Sequence, residues 1–161
     1  MQHRAALEQA YREHGHSVLR RARQLLGNEE EARDVLHEIF TSLVARPAQF
    51  EGGSRWTTWL YSATTHACLN RLRNHKTRLR ILEASLAPAA SERVEARAED
   101  LATARQLLGR MPQELALVLA YAFFDEMTHD EIAELLGCSR RHVGDLIARG
   151  QAWATSQERS A

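Results

Sequence analysis

The chain has 161 residues, 44% of them hydrophobic and 26% charged, with a formal net charge of zero, so it can bury a core as one domain or two small ones. No run of about 18 apolar residues is present to insert into a membrane, and the opening MQHRAALEQAYREHGH lacks the apolar stretch and cleavage site of a signal peptide, so a cytoplasmic protein is expected. Cys68 and Cys138 form no C-x-x-C pair, which speaks against a disulfide framework or a thiolate zinc site.

In chain order the pattern is helical almost everywhere. Between Ala6 and Leu26, Leu7, Tyr11, Val18, Ala22 and Leu25 recur at the three- and four-residue steps of one helical stripe, and Gly27 ends it. Asn28 before Glu29, Glu30 and Glu31 is a helix start, a capping side chain followed by carboxylates near the positive end of the helix dipole. That second helix buries Val35, Leu36, Ile39, Phe40 and Leu43, and Pro47 stops it. The segment ARPAQFEGGS reads as a loop, after which Ser54 can cap a long helix that carries Trp56, Trp59 and Tyr61 at its front and Arg71, Arg73, Lys76 and Arg78 at its end. Aromatic residues at helical spacing favour packed core over base-stacking platforms for Trp56, Trp59 and Leu60.

Residues 84–104 are small, polar and acidic, a linker whose ends can be helical. Beyond it Pro112 marks a helix start, and Leu115, Val118, Leu119, Ala122 and Phe123 form a second stripe. In THDEIAELLGCSRRHVGDLIARG, Thr128 and Glu131 make a capping box, Gly137 can take the left-handed conformation, and Ser139 caps a further helix with Val143 and Ile147 inward. A short helix, a three-residue turn and a second helix is the spacing of a helix-turn-helix, and equally of a plain αα-hairpin.

The zero net charge is uneven: residues 1–80 carry 13 basic and 8 acidic side chains, residues 81–104 carry 2 and 5, and residues 105–161 carry 6 and 8. The excess of five positive charges in the first half suits a polyanionic partner. No Gly-rich phosphate loop, H-E-x-x-H or G-x-S-x-G occurs, and the 8 histidines lack metal-ligand spacing, so neither enzyme chemistry, a metal nor a cofactor is expected.

The order of these parts resembles the extracytoplasmic-function group of bacterial RNA polymerase sigma factors. EARDVLHEIF at 31–40, Thr58-Trp59-Leu60-Tyr61, Leu69-Asn70-Arg71-Leu72-Arg73, Met111-Pro112 and DEIAELLGCS are each similar to a family motif, in the family's order. The resemblance implies an all-α protein of two small helical domains joined by a flexible linker: a region-two domain at 1–83, a linker at 84–104 and a region-four domain at 105–161 with the helix-turn-helix. It implies an alternative sigma factor whose partners are RNA polymerase core and promoter DNA, with room for an anti-sigma factor.

By the same resemblance, minus-ten recognition and melting falls to Phe50, Gly52, Gly53, Ser54, Arg55, His66, Asn70, Arg71, Arg73, Lys76, Arg78 and Arg80. A loop at 50–54 would cradle a flipped base, and the basic side chains would meet phosphates. Minus-thirty-five recognition falls to Ser139, Arg140, Arg141, His142 and Arg149, and polymerase docking to Asp34, His37, Glu38 and Thr41. The chain departs from the family pattern at Thr65 and His66, where Arg and Asn are usual, and at Gly144, Leu146 and Gln151, where Lys or Arg is common. Two further readings stay open: a helix-turn-helix regulator that works without polymerase, and a sigma-like interaction protein that does not read the upstream element.

Overall fold

The computed structural model describes residues 2–50, 55–74 and 92–160, and the side chains of residues 3–50, 55–74 and 98–160. Among them it is all helix: α1 (Gln2–Leu26), α2 (Glu29–Ala45), a 3-10 turn (Pro47–Phe50), α3 (Trp56–Arg73), α4 (Glu92–Arg110), α5 (Gln113–Leu119), a π turn (Ala120–Phe124), α6 (His129–Leu136) and α7 (Arg140–Ser160).

Local chemistry sets most of the boundaries. Gly27 closes α1 at φ +66°, and the Asn28 side chain then accepts a hydrogen bond from the Glu31 N–H to open α2. A Cβ on Gly27 would sit 2.6 Å from the Arg105 guanidinium, so the glycine serves both its backbone angle and a close approach by α4. Arg105 donates to the carbonyls of Gln24 and Leu25, capping the negative end of α1, and its burial there pulls its pKa below the usual arginine value. At the start of α3 Arg55 occupies the N-cap position without a side-chain hydrogen bond, and Ser54, expected as the cap, lies outside the described residues.

Helices α1, α2 and α3 pack together around Val18, Ala22, Leu25, Val35, Ile39, Leu43, Leu60, Cys68, Leu69 and Leu72, all buried. Tyr11, expected on the inner stripe, is 43% exposed and meets Phe40 edge-on. Helix α4 lies along α3. It takes up residues 92–104 of the expected linker, while residues 84–91 lie outside the described set.

The second unit folds α5 and α6 onto α7 around Leu115, Ala116, Val118, Ile132, Val143, Leu146 and Ile147. Gly150 permits this, since a Cβ there would stand 2.8 Å from a Leu119 methyl. After Leu119 the chain widens into the π turn, which advances less per residue than an α-turn and so rotates the inward face. Tyr121 is therefore fully buried and Phe123, expected inward, is 59% exposed.

Candidate nucleic-acid interface

The front of α3 and the turn before it form an aromatic cluster. Phe50 stacks on Trp56 with ring centroids 3.7 Å apart and meets Trp59 edge-on at 6.3 Å. A cavity of about 170 Å³ opens beside them, lined by Leu7, Leu43, Pro47, Phe50 and Trp56 among others. Leu60 is buried as expected, and the two tryptophans are half-buried and packed against the core, with Trp56 also lining the cavity. Gly52, Gly53 and Ser54, which would complete the cradle, lie outside the described residues, as do Lys76, Arg78 and Arg80.

Further along α3 two of the arginines expected at phosphates are engaged within the protein. Arg71, about a quarter exposed, donates to Glu31 at 2.7 Å and to Glu38 at 2.8 Å, with Asp34 3.8 Å away. Glu31 is buried on the neighbouring face of α2, and a carboxylate there needs a cation, which α3 supplies. Arg73 donates to the Met111 carbonyl at 3.2 Å and to Gln113 at 3.3 Å. Both guanidinium groups are thus committed within the protein. Arg55 and Asn70 are exposed, and His66 is half-buried with Nδ1 2.8 Å from the Ser62 carbonyl.

Thr65, where the family pattern has a basic residue, is fully buried and accepts two hydrogen bonds from Arg21 of α1, which supplies the positive charge from another helix. Arg21 escaped the sequence reading although a signal was present: it falls on the inward stripe between Val18, Ala22 and Leu25, and an arginine there must have a partner. Asp125, which also accepts from Arg21, carried no such signal.

The outer face of α2 presents Arg33, Asp34, His37, Glu38 and Thr41 to solvent, as its 3.6-residue period requires once Val35, Leu36, Ile39 and Phe40 turn inward. Its acidic groups do not stand alone, since Arg71 reaches across from α3 to Asp34 and Glu38.

In the second unit the local signals hold. Thr128 and Glu131 form the reciprocal capping box, which holds the Glu131 pKa low through the Thr128 backbone N–H and hydroxyl. Gly137 sits at φ +66°, and Ser139 Oγ accepts from the His142 N–H at 3.1 Å to cap α7. Arg140, Arg141, His142 and Arg149 are all exposed on α7. Leu146, where the family pattern has a basic residue, is 2% exposed and packs inward, so its apolar character removes nothing from the outer face.

The chain thus holds two helical units in tandem, the first with a charged outer face on α2 and an aromatic cluster at the front of α3, the second a capped helix-turn-helix. Comparison with known proteins agrees: residues 10–78 match sigma-70 region 2 and residues 101–151 match sigma-70 region 4. The chain is 27% identical over 158 residues to the RNA polymerase sigma factor YlaC of Bacillus subtilis, covering 94% of this chain and 91% of that protein. It is 25% identical to the ECF RNA polymerase sigma factor SigW of Bacillus subtilis over 80% of this chain and 75% of SigW. It is 26% identical to the ECF RNA polymerase sigma factor SigM of Mycobacterium tuberculosis over 92% of this chain and 75% of SigM. The chain belongs to the sigma-70 family, in its extracytoplasmic-function group, and is an alternative sigma factor that directs promoter-specific transcription initiation. No helix among the described residues is long and apolar enough to cross a membrane.

Proposed function

We propose that the chain docks on RNA polymerase core through the outer face of α2, opens the minus-ten element at the pocket beside Phe50 and Trp56, and reads the minus-thirty-five element with α7. The observation that carries the reading is the order of the two sigma regions on the chain, first the region at 10–78 and then the region at 101–151. Aromatic rings beside a cavity suit an unstacked base, because every base offers a π-face. Exposed arginines at the start of a capped helix suit phosphates and guanine edges.

Within this reading Arg71 acts as a positioning residue: by neutralising Glu31 and holding Glu38, it fixes the acidic face that polymerase would meet. Phosphate contact in the first domain then rests with Arg55 and, outside the described residues, with Lys76, Arg78 and Arg80. Run-off transcription with core polymerase on a matched promoter is the test. His37→Ala combined with Thr41→Ala, both exposed and neither paired with Arg71, is expected to weaken core binding in a pull-down while leaving the melting temperature within about 2 °C. Unchanged core affinity would remove this face from the interface.

A further inference from the structure

The outer face of α3 carries a histidine whose hydrogen-bonding role is set by its own helix. Trp59, Ala63, His66 and Asn70 follow one another at steps of four, three and four, so they share the side of α3 opposite the buried Leu60, Thr64, Cys68 and Leu72. His66 is half-buried there, and its Nδ1 lies 2.8 Å from the carbonyl oxygen of Ser62, one turn back. A carbonyl oxygen only accepts, so at this distance Nδ1 carries the hydrogen and donates it. In the neutral imidazole the other nitrogen, Nε2, then keeps its lone pair and has no hydrogen. Nε2 has no hydrogen-bond partner among the described residues. Ser62, Ala63, Leu69 and Asn70, the residues one turn before and after, carry no charge, and Arg71 and Arg73 are engaged with Glu31, Glu38 and the Met111 carbonyl.

Base edges sort cleanly against a bare lone pair. Adenine offers its 6-amino group and cytosine its 4-amino group as donors, whereas guanine offers N7 and O6, and thymine O4, all of them acceptors. Nε2 attracts the first two and repels the others. An amide side chain in this place would not discriminate in the same way, because it holds a donor and an acceptor and can turn either one outward. The placement also suits the task. His66 stands seven residues beyond Trp59, about 10 Å along the helix, which is about three steps of a strand that rises 3.4 Å per nucleotide. His66 and the pocket beside Phe50 and Trp56 can therefore work on one short element.

We infer that His66 is a specificity-determining residue for the minus-ten element: held by the Ser62 carbonyl, it acts through Nε2 as an acceptor alone and selects a base that bears an exocyclic amino group, adenine or cytosine. The inference rests on the proposed function, in which α3 meets that element.

Holoenzyme binding at pH 8, where an imidazole is ordinarily neutral, to promoter duplexes carrying each base in turn along the minus-ten element tests it. At one position the wild type is expected to prefer adenine or cytosine to guanine or thymine by about tenfold, and His66→Ala to be indifferent there. Exchanging the preferred base for its analogue without the amino group, purine for adenine or 2-pyrimidinone for cytosine, is expected to cost the wild type the same factor and His66→Ala nothing. Nitrogen-15 NMR of the free chain gives an independent readout, with Nδ1 protonated and Nε2 bare. Circular dichroism checks that the variant keeps its helices; should His66→Ala not keep them, His66→Asn takes its place and is expected to relax the preference, since its amide can also donate. A preference for guanine or thymine at the position that His66 controls, or a bare Nδ1, would overturn the inference. Run-off transcription with core polymerase separates it from the functional reading. Initiation by the wild type with no base preference that depends on His66 defeats the inference alone, whereas failure to initiate from every promoter of the panel defeats the functional reading and the inference with it.

Discussion

Helices α3 and α7 are the two segments proposed to work on DNA, and they treat their arginines in opposite ways. On α3, Arg71 and Arg73 are tied to Glu31, Glu38, Gln113 and the Met111 carbonyl. On α7, Arg140, Arg141 and Arg149 stand exposed, with Asp130 the nearest carboxylate to Arg140 at 3.7 Å. By charge count the first half is the basic one, and residues 105–161 carry a net two negative charges. Charge that is counted is therefore not charge that is available. What decides is whether an acceptor elsewhere in the fold, the Glu31 carboxylate for Arg71 and the Met111 carbonyl for Arg73, has already claimed the cation.

The thiols divide the two regions in the same way and give the largest contrast. Cys68 of α3 is fully buried, which pushes its pKa up to about 12, whereas Cys138 in the helix-turn-helix turn is half-exposed. At pH 8 iodoacetamide is expected to modify Cys138 alone, with Cys68 reacting only after unfolding. Because the folded pKa of Cys68 lies above the unfolded one, its contribution to stability is intact below about pH 9 and declines as pH rises toward 12. Equal labelling of both thiols in the native chain would show that α3 is not packed as described.

Next in size is Arg71→Ala. Removing it takes the Arg71 guanidinium from the buried Glu31 carboxylate, and as Arg71 itself is about a quarter exposed the loss is expected near 3 kcal/mol, the low end for a buried pair. The melting temperature should fall by about 6 to 12 °C. Arg141→Ala should leave it unchanged within about 2 °C. If Arg71→Ala melts like the wild type and loses only DNA binding, the contrast between the two helices collapses.

How much of this could be read from the sequence follows from how local each cause is. The helix-turn-helix was legible in detail, because Thr128, Glu131, Gly137 and Ser139 act on backbone groups within three or four residues of themselves. The outer face of α2 was legible for the same reason, through its period. The destination of Arg71 was not, since Glu31 lies 40 positions away, and neither was that of Arg21, which meets an aspartate 104 positions on. Phe123 was misplaced because a π turn interrupts the period on which its assignment rested, and nothing in the letters AYAFF announces a π turn.

Arg140→Ala with Arg141→Ala follows. Both are exposed, so stability should stay within about 0.5 kcal/mol, while transcription from the matched promoter should fall about tenfold, since a good arginine contact to guanine contributes about 1–3 kcal/mol of discrimination. The salt dependence of holoenzyme binding should also weaken, by roughly 0.9 in slope for each phosphate the variant no longer neutralises. Normal transcription that ignores the upstream sequence would turn the second domain from a reader of DNA into a docking module.

The smallest effect belongs to Asp145. It is exposed on α7 one turn after Arg141 and one turn before Arg149, and residues spaced by four share a helix face, so a carboxylate stands between two cations on the proposed reading surface. Two roles are physically open to it, and they separate cleanly. As a repulsive charge it lowers affinity for any duplex, in which case Asp145→Asn strengthens holoenzyme binding about twofold on matched and mismatched upstream sequences alike. The gain then disappears near 1 M salt, where the screening length shrinks to about 3 Å. As a reader it accepts a hydrogen bond from a cytosine amino group, in which case the same substitution leaves general affinity unchanged and relaxes the preference at one base pair by about 1–3 kcal/mol. The first outcome is expected, because the flanking arginines already draw the helix to phosphate and the carboxylate opposes them at close range. A change confined to one base pair would instead make Asp145 part of the readout and narrow the contrast with α3, whose Arg71 is held by acidic groups of α2.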